Sequence, residues 1–167
     1  MNRQIVVIAH NLRSCHNVGA LFRTAEGMGV NTLYLTGYTP FPQGKQDERL
    51  PHLVHKITKQ IEKTALGSTT TLPWEHHESI IEVIKLLRRQ GYMIFALEQT
   101  PSAINLATVH PPEKSVLILG NEVEGLDPDV IGYCDQSVQI PMIGKKESFN
   151  VIQAAAMALY HFRFTQN

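Results

Sequence analysis

Cysteine is scarce in this chain. Cys15 and Cys134 are the two in 167 residues, too few for a disulfide framework and in keeping with a reducing compartment. Long apolar runs are missing too. None approaches the roughly 20 residues of a transmembrane helix, and the N-terminus lacks the charged, apolar and small-residue regions of a secretion signal. A cytoplasmic protein with no membrane partner is expected. Net charge is absent, with 15 Lys and Arg set against 15 Asp and Glu. No whole-molecule field draws in nucleic acid, so any such partner is held by local patches.

The common phosphate cradles are absent as well. No G-x-G-x-x-G follows the first apolar run, and the loop Gly120 to Gly125 leads into Leu126 and Asp127 rather than the Lys-Ser/Thr pair of a P-loop. Two glutamates in that loop would repel a polyphosphate. They suit a hydroxyl- or amine-bearing ligand, or helix N-termini and arginines of the protein itself. His52/His55 and His76/His77 lack a cysteine or carboxylate set at zinc spacing, so no metal is expected. Neither Ser148 nor Cys134 sits in the glycine-flanked elbow of a nucleophile.

What is present describes one soluble globular domain over residues 1–167, 43% hydrophobic and 18% charged. Apolar runs at Gln4 to Ala9, Asn31 to Leu35, Tyr92 to Leu97, Ser115 to Leu119 and Val138 to Ile140 read as strands. Helical patterns at 15–28, 56–65, 77–90, 129–133 and 149–164 separate or follow them. Ser14 or Asn11 would cap the first helix, and Trp74 reads as part of a turn. Such alternation gives an α/β fold, a parallel sheet with helices on both faces. The connection Thr36 to His55 is long enough to expect a function.

In the first helix, Val18, Leu21, Phe22, Ala25 and Met28 share one face. The opposite face carries His16, Gly19, Ala20, Arg23 and Gly27, where a solvent face would favour long polar residues. The small residues leave Arg23 open to close approach by a substrate or another backbone; the alternative is an exposed arginine on a tightly packed helix. Lys56, Lys59 and Lys63 share one helical side. Together with Lys45 and Arg49 they form either a phosphate-facing patch or an ordinary solvated face.

Residues 115–158 hold the most chemistry. Two strands there each deliver a glycine-containing loop at their carboxyl end, where open α/β sheets bind ligands. Glu98-Gln99-Thr100 falls on the same rim. The final helix, Phe149 to Phe164, is apolar around nearly its whole circumference and must be covered on both sides. A symmetric homodimer would supply the second cover; the competing explanation is a helix slotted through the middle of its own domain.

Three motifs carry a resemblance across essentially the whole chain. They are Asn17-Val-Gly-Ala-Leu-Phe-Arg23-Thr-Ala with Gly29-Val30, then Leu119-Gly120-Asn-Glu122-Val-Glu124-Gly125-Leu126, and finally Ile140-Pro141-Met142-Ile-Gly144 leading to Ser148-Phe149-Asn150-Val151. The chain resembles the SpoU-type RNA 2′-O-ribose methyltransferases of the SPOUT superfamily. That resemblance implies a C-terminal trefoil knot, S-adenosylmethionine bound within it, an RNA substrate and a homodimer. It implies a cofactor site at Leu97, Gly120, Ile140, Met142 and Phe149, and catalytic positions at Arg23, Asn17, Glu122, Ser148 and Asn150. Phe149 stands where the family usually has leucine, and the N-terminal RNA-binding extension of many relatives is lacking. A small domain of this kind suits a compact exposed loop, favouring tRNA slightly over rRNA. An inactive RNA-binding module of this fold and a base methyltransferase are the competing readings.

Overall fold

The structure, a computed structural model, describes residues 3–45 and 47–165. In chain order the elements are β1 (Gln4–His10), α1 (Cys15–Gly27), β2 (Thr32–Thr36), α2 (Pro51–Ala65), α3 (Ser68–Thr71), β3 (Trp74–His77) and α4 (Ile80–Arg89). There follow β4 (Met93–Leu97), β5 (Ile104–Asn105), a 3₁₀ turn (Leu106–Thr108), β6 (Lys114–Leu119), α5 (Pro128–Gly132), β7 (Gln136–Gln139) and α6 (Val151–Phe164). The strands form one sheet in the order β3-β2-β1-β6-β4-β7-β5, with every pair parallel.

Successive side chains of the central strands point to opposite faces, so each face has its own core. Ile5, Val7, Ala9, Phe95, Leu117 and Leu119 pack with α1, α2 and α6, while Val6, Ile8, Ile94, Ala96, Val116 and Ile118 pack with α4 and α5. Strand β7 lies between β4 and β5. The β4–β5 connection therefore spans the carboxyl end of β7, the arrangement that a threaded C-terminal segment needs.

Trp74 lies in a strand rather than a turn. Its segment, Trp-Glu-His-His, pairs with β2 at the sheet edge and lacks the apolar alternation that marks a strand in sequence. The same shortness hides β5. With His77 in β3, α4 begins three residues later than its periodicity suggests, behind Ser79, whose side chain accepts from the Glu82 amide. Helix α2 starts at Pro51 rather than Lys56, using proline in its first turn, and the long connection shrinks accordingly.

Gly19 is buried, which corrects the reading of its helix face as open. A Cβ there would overlap Ile61 O and Thr64 Oγ1. Its smallness serves the close crossing of α1 and α2, where Thr64 Oγ1 also donates to His16 O at 2.9 Å. Within α6, Ala155, Ala158, Leu159 and Phe162 are buried, whereas Met157, Tyr160 and Phe164 are exposed. Its C-terminal half is clasped to the first strand. Arg163 donates to Met28 O at 2.9 Å, Gly29 O at 2.6 Å and Arg3 O at 2.7 Å, and Arg3 donates to Phe162 O at 2.8 Å.

Candidate active site

The carboxyl ends of β4, β6 and β7 open into one cavity of about 260 Å³, closed by residues 147–149 and the first turns of α6. Leu97, Gly120, Ile140 and Phe149 line it together, joined by Ser148, Glu122 and Val151. Met142, half-buried in the loop after β7, is not among the lining residues. Asn150 sits at the rim as the cap of α6, its Oδ1 accepting from the Ile152 amide at 2.9 Å.

The loop after β6 is tightly drawn. Asn121 N donates to Gly125 O at 3.1 Å and Gly125 N returns a bond to Asn121 O at 3.0 Å. A Cβ on Gly120 would fall 2.6 Å from Gly125 C and 2.8 Å from Gly125 O, so glycine is required by close backbone approach. Asn121 organises the rest: Oδ1 accepts from Val123 N (2.8 Å) and Glu124 N (3.0 Å), while Nδ2 donates to Asn11 O (3.1 Å) and Tyr38 Oη (2.8 Å). Glu98 holds the far end, accepting from Leu126 N at 2.9 Å and from Gln99 N at 3.0 Å. The sequence reading did not single out Asn121 or Tyr38. Asn121 lies inside a quoted motif, but Tyr38 carried no local signal.

His10 supports the same frame from below. Its Nε2 lies 3.1 Å from Asn11 Nδ2, which can only donate, so the ring is neutral and Nδ1–H donates to Thr36 Oγ1 at 2.9 Å. Burial lowers its pKa against the opposing pull of Asp127.

Glu122 joins the two sequence-distant motifs. It accepts from Asn17 Nδ2 at 2.8 Å, Arg13 N at 3.0 Å and Ser14 N at 3.3 Å. The carboxylate thereby faces the positive N-terminus of α1, where Ser14 is the cap, one of the roles open to the loop glutamates from sequence. Burial alone would raise the Glu122 carboxyl, but bonds from Asn17 and the Arg13 and Ser14 amides outweigh it and hold the pKa below the ordinary value. A depressed carboxyl contributes stability that is complete above the unfolded glutamate value and lost as pH falls through the folded one. The stability gap between wild type and Glu122→Gln, measured by urea unfolding, is therefore expected to narrow below about pH 4. A gap unchanged from neutral to acid pH contradicts this.

Arg23 stands apart from the cavity. It is exposed and lines a second hollow with Ala20, Thr24, Gly27, Lys63 and Ala156, sharing no lining residue with the first. Arg49 is not available to a ligand. It chelates Asp47 through Nε (2.8 Å) and Nη2 (2.6 Å), donates to Phe41 O and Pro42 O, and stacks over the Phe41 ring at 3.5 Å. Bonding to Arg49 drives the Asp47 carboxyl far below the usual range. Among the described residues no helix is long and apolar enough to cross a membrane.

A parallel sheet whose ligand cavity is closed by a C-terminal loop and helix is the architecture of SPOUT-type α/β proteins. Residues 4–160 match the SpoU rRNA Methylase family, and the chain belongs to that family. A tRNA (guanosine(18)-2′-O)-methyltransferase of Aquifex aeolicus is 28% identical over 158 residues, 95% of this chain and 68% of the relative. The crystal structure of the A. aeolicus TrmH/SpoU tRNA modifying enzyme superposes with a TM-score of 0.78 at 26% identity, covering 97% of this chain and 76% of that one. The fold is also that of an AdoMet-bound rRNA methyltransferase from Sinorhizobium meliloti, with a TM-score of 0.81 and 21% identity. There 98% of this chain covers 57% of the other, so the chain spans little more than half of that relative.

Proposed function

We propose that this chain transfers a methyl group from S-adenosylmethionine to a ribose 2′-hydroxyl of structured RNA, with tRNA favoured over rRNA. One observation carries the reading. In a chain of this family, a single cavity gathers Leu97, Gly120, Ile140 and Phe149, and Glu122 at its edge is bonded to Asn17 of the motif that bears Arg23.

The lining fits the cofactor. Leu97, Leu119, Val138, Ile140 and Phe149 offer apolar surface for an adenine, and Glu98, Glu122, Glu124 and Glu147 favour a cation. When bound, S-adenosylmethionine supplies an electrophilic methyl on a sulfonium. Its transfer would exchange a sulfur–methyl for an oxygen–methyl bond, with the hydroxyl proton passing to solvent. The hydroxyl is a weak nucleophile, so the site must align it and favour loss of its proton. Arg23 holds the adjacent phosphate and stabilises the developing alkoxide. Glu122 is committed to three N–H donors and acts by fixing Asn17 and the start of α1. Ser148 and Asn150 face the ribose at the rim.

A second copy of the chain completes the site. On α6, Met157, Tyr160 and Phe164 are 36%, 60% and 59% exposed, beside a hollow floored by Leu106, Ile140 and Pro141. Burying this face against its symmetry mate removes apolar surface from water. Ala156 of the same helix borders the Arg23 hollow, so the interface would lie beside Arg23. Tyr160→Asp is expected to shift the sedimentation mass from dimer to monomer and to abolish transfer; a monomeric, fully active wild type contradicts the dimer. The RNA substrate and two free cysteines suit a cytoplasmic site of action.

Nucleoside mass spectrometry after incubation with labelled cofactor and bulk tRNA or rRNA tests the function. A labelled 2′-O-methyl nucleoside is expected. A labelled base would favour the base methyltransferase, and failure to bind S-adenosylmethionine in calorimetry would favour the inactive binding module.

A further inference from the structure

We propose that the exposed side of α2 is a phosphate track along which the RNA backbone reaches Arg23, an inference that rests on the function proposed above. Lys56, Lys59 and Lys63 are exposed on α2, and at about 100° per residue they fall within roughly 60° of one another. One cation thus meets the surface about every helical turn, near 5.4 Å of rise, and exposed His52 extends the same side by a further turn. The opposite face is buried through Val54, Ile61 and Ala65, which fixes the direction in which the lysines point. Glu62, the single acid of α2, accepts a hydrogen bond from Thr69 Oγ1 instead of neutralising the stripe.

The stripe leads somewhere. Lys63 lines the same hollow as Arg23, and the neighbouring walls are Ala20, Thr24, Gly27 and Thr64. No acidic side chain lines that hollow; Glu26, three residues beyond Arg23, is exposed outside it. Small residues between two cations leave room for phosphate oxygens. A solvated lysine face would need no such continuity with a concave, acid-free site. With a net charge of zero, RNA attraction must come from a local arrangement of this kind. The dense clasp of Arg49 on Asp47 removes that arginine from the track.

The triple variant Lys56→Gln, Lys59→Gln, Lys63→Gln tests the track by binding of bulk tRNA across a salt series. Its Kd is expected to rise at least ~10-fold near physiological salt, and the slope of log K against log salt to fall by about 2 to 3. S-adenosylmethionine affinity and thermal stability should stay at wild-type values. The control Lys85→Gln, Arg89→Gln removes two exposed cations from α4 on the other face of the sheet and should bind as wild type. An unchanged slope in the triple variant overturns the inference, as does an equal loss in the control. Triple-variant loss of binding to anionic phospholipid vesicles with tRNA binding intact would reassign the stripe to a membrane surface and also overturn it. Wild-type protein that binds cofactor but no RNA would instead sink the proposed function itself.

Discussion

Replacing Arg23 with alanine is expected to lower methyl transfer at least ~100-fold while S-adenosylmethionine binds as in wild type. Both halves follow from position. Arg23 lines none of the cavity that gathers Leu97, Gly120, Ile140 and Phe149, so affinity for a cofactor held there has no reason to change. Its side chain is exposed, so the fold should not suffer either. What is lost, on the proposed mechanism, is the guanidinium that would meet the phosphate and the developing alkoxide. Arg23→Lys should recover only part of the rate, because an ammonium keeps the charge without the planar fork. If the proposed dimer forms, mixed dimers separate the two routes. Gly120→Val places a side chain against Gly125 and disables the cavity. If Arg23 serves the partner's cavity, a dimer of one Arg23→Ala chain and one Gly120→Val chain contains one intact site and recovers activity. If Arg23 serves its own chain, the mixture stays inactive. Wild-type turnover by Arg23→Ala would remove it from the mechanism.

Phe162→Ala should lower stability by roughly 3–5 kcal/mol. Phe162 is fully buried and meets Phe95 of β4 edge-on, with ring centroids 5.1 Å apart. It fastens α6 to the centre of the sheet, and truncation leaves a void that neighbouring strands cannot close. For a chain of this length the loss corresponds to a melting temperature lower by about 6–20 °C. Ile143, 95% exposed, supplies the control: Ile143→Ala should change stability by no more than about 0.5 kcal/mol. Scanning calorimetry reads both, and a Phe162→Ala loss below about 1 kcal/mol would mean that α6 is not anchored through this ring.

The centre of the sheet was legible in sequence because β1, β4 and β6 are buried on both faces and spell continuous apolar runs. The edges were not. Strands β3 and β5 are short, and β3 reads Trp-Glu-His-His, so no local pattern separates it from a turn. Gly19 was misread for a related reason. Its smallness is explained by Ile61 and Thr64, more than forty residues away, and not by anything on its own helix. The roles open to the loop glutamates were visible from charge, and Ser14 as a cap from residue type. Which amides Glu122 would meet depends on β1 and β6 lying side by side. The same holds for Tyr38, which reaches Asn121 only because the chain turns back after β2. Motif residues located the cavity, and long-range pairing supplied its supports.

The clasp between Arg3, Phe162 and Arg163 has a consequence for biosynthesis. Arg3 and Phe162 are separated by 159 positions, so the bond that secures the start of β1 waits for the fourteen residues of α6. A chain made from its N-terminus holds β1 ready while the part of one sheet face that α6 covers stays open, and contacts this distant in sequence form slowly. Nascent molecules should thus pass through an interval with an apolar sheet face on offer to chaperones, which ends when α6 docks and Arg163 closes on the carbonyls of Arg3, Met28 and Gly29.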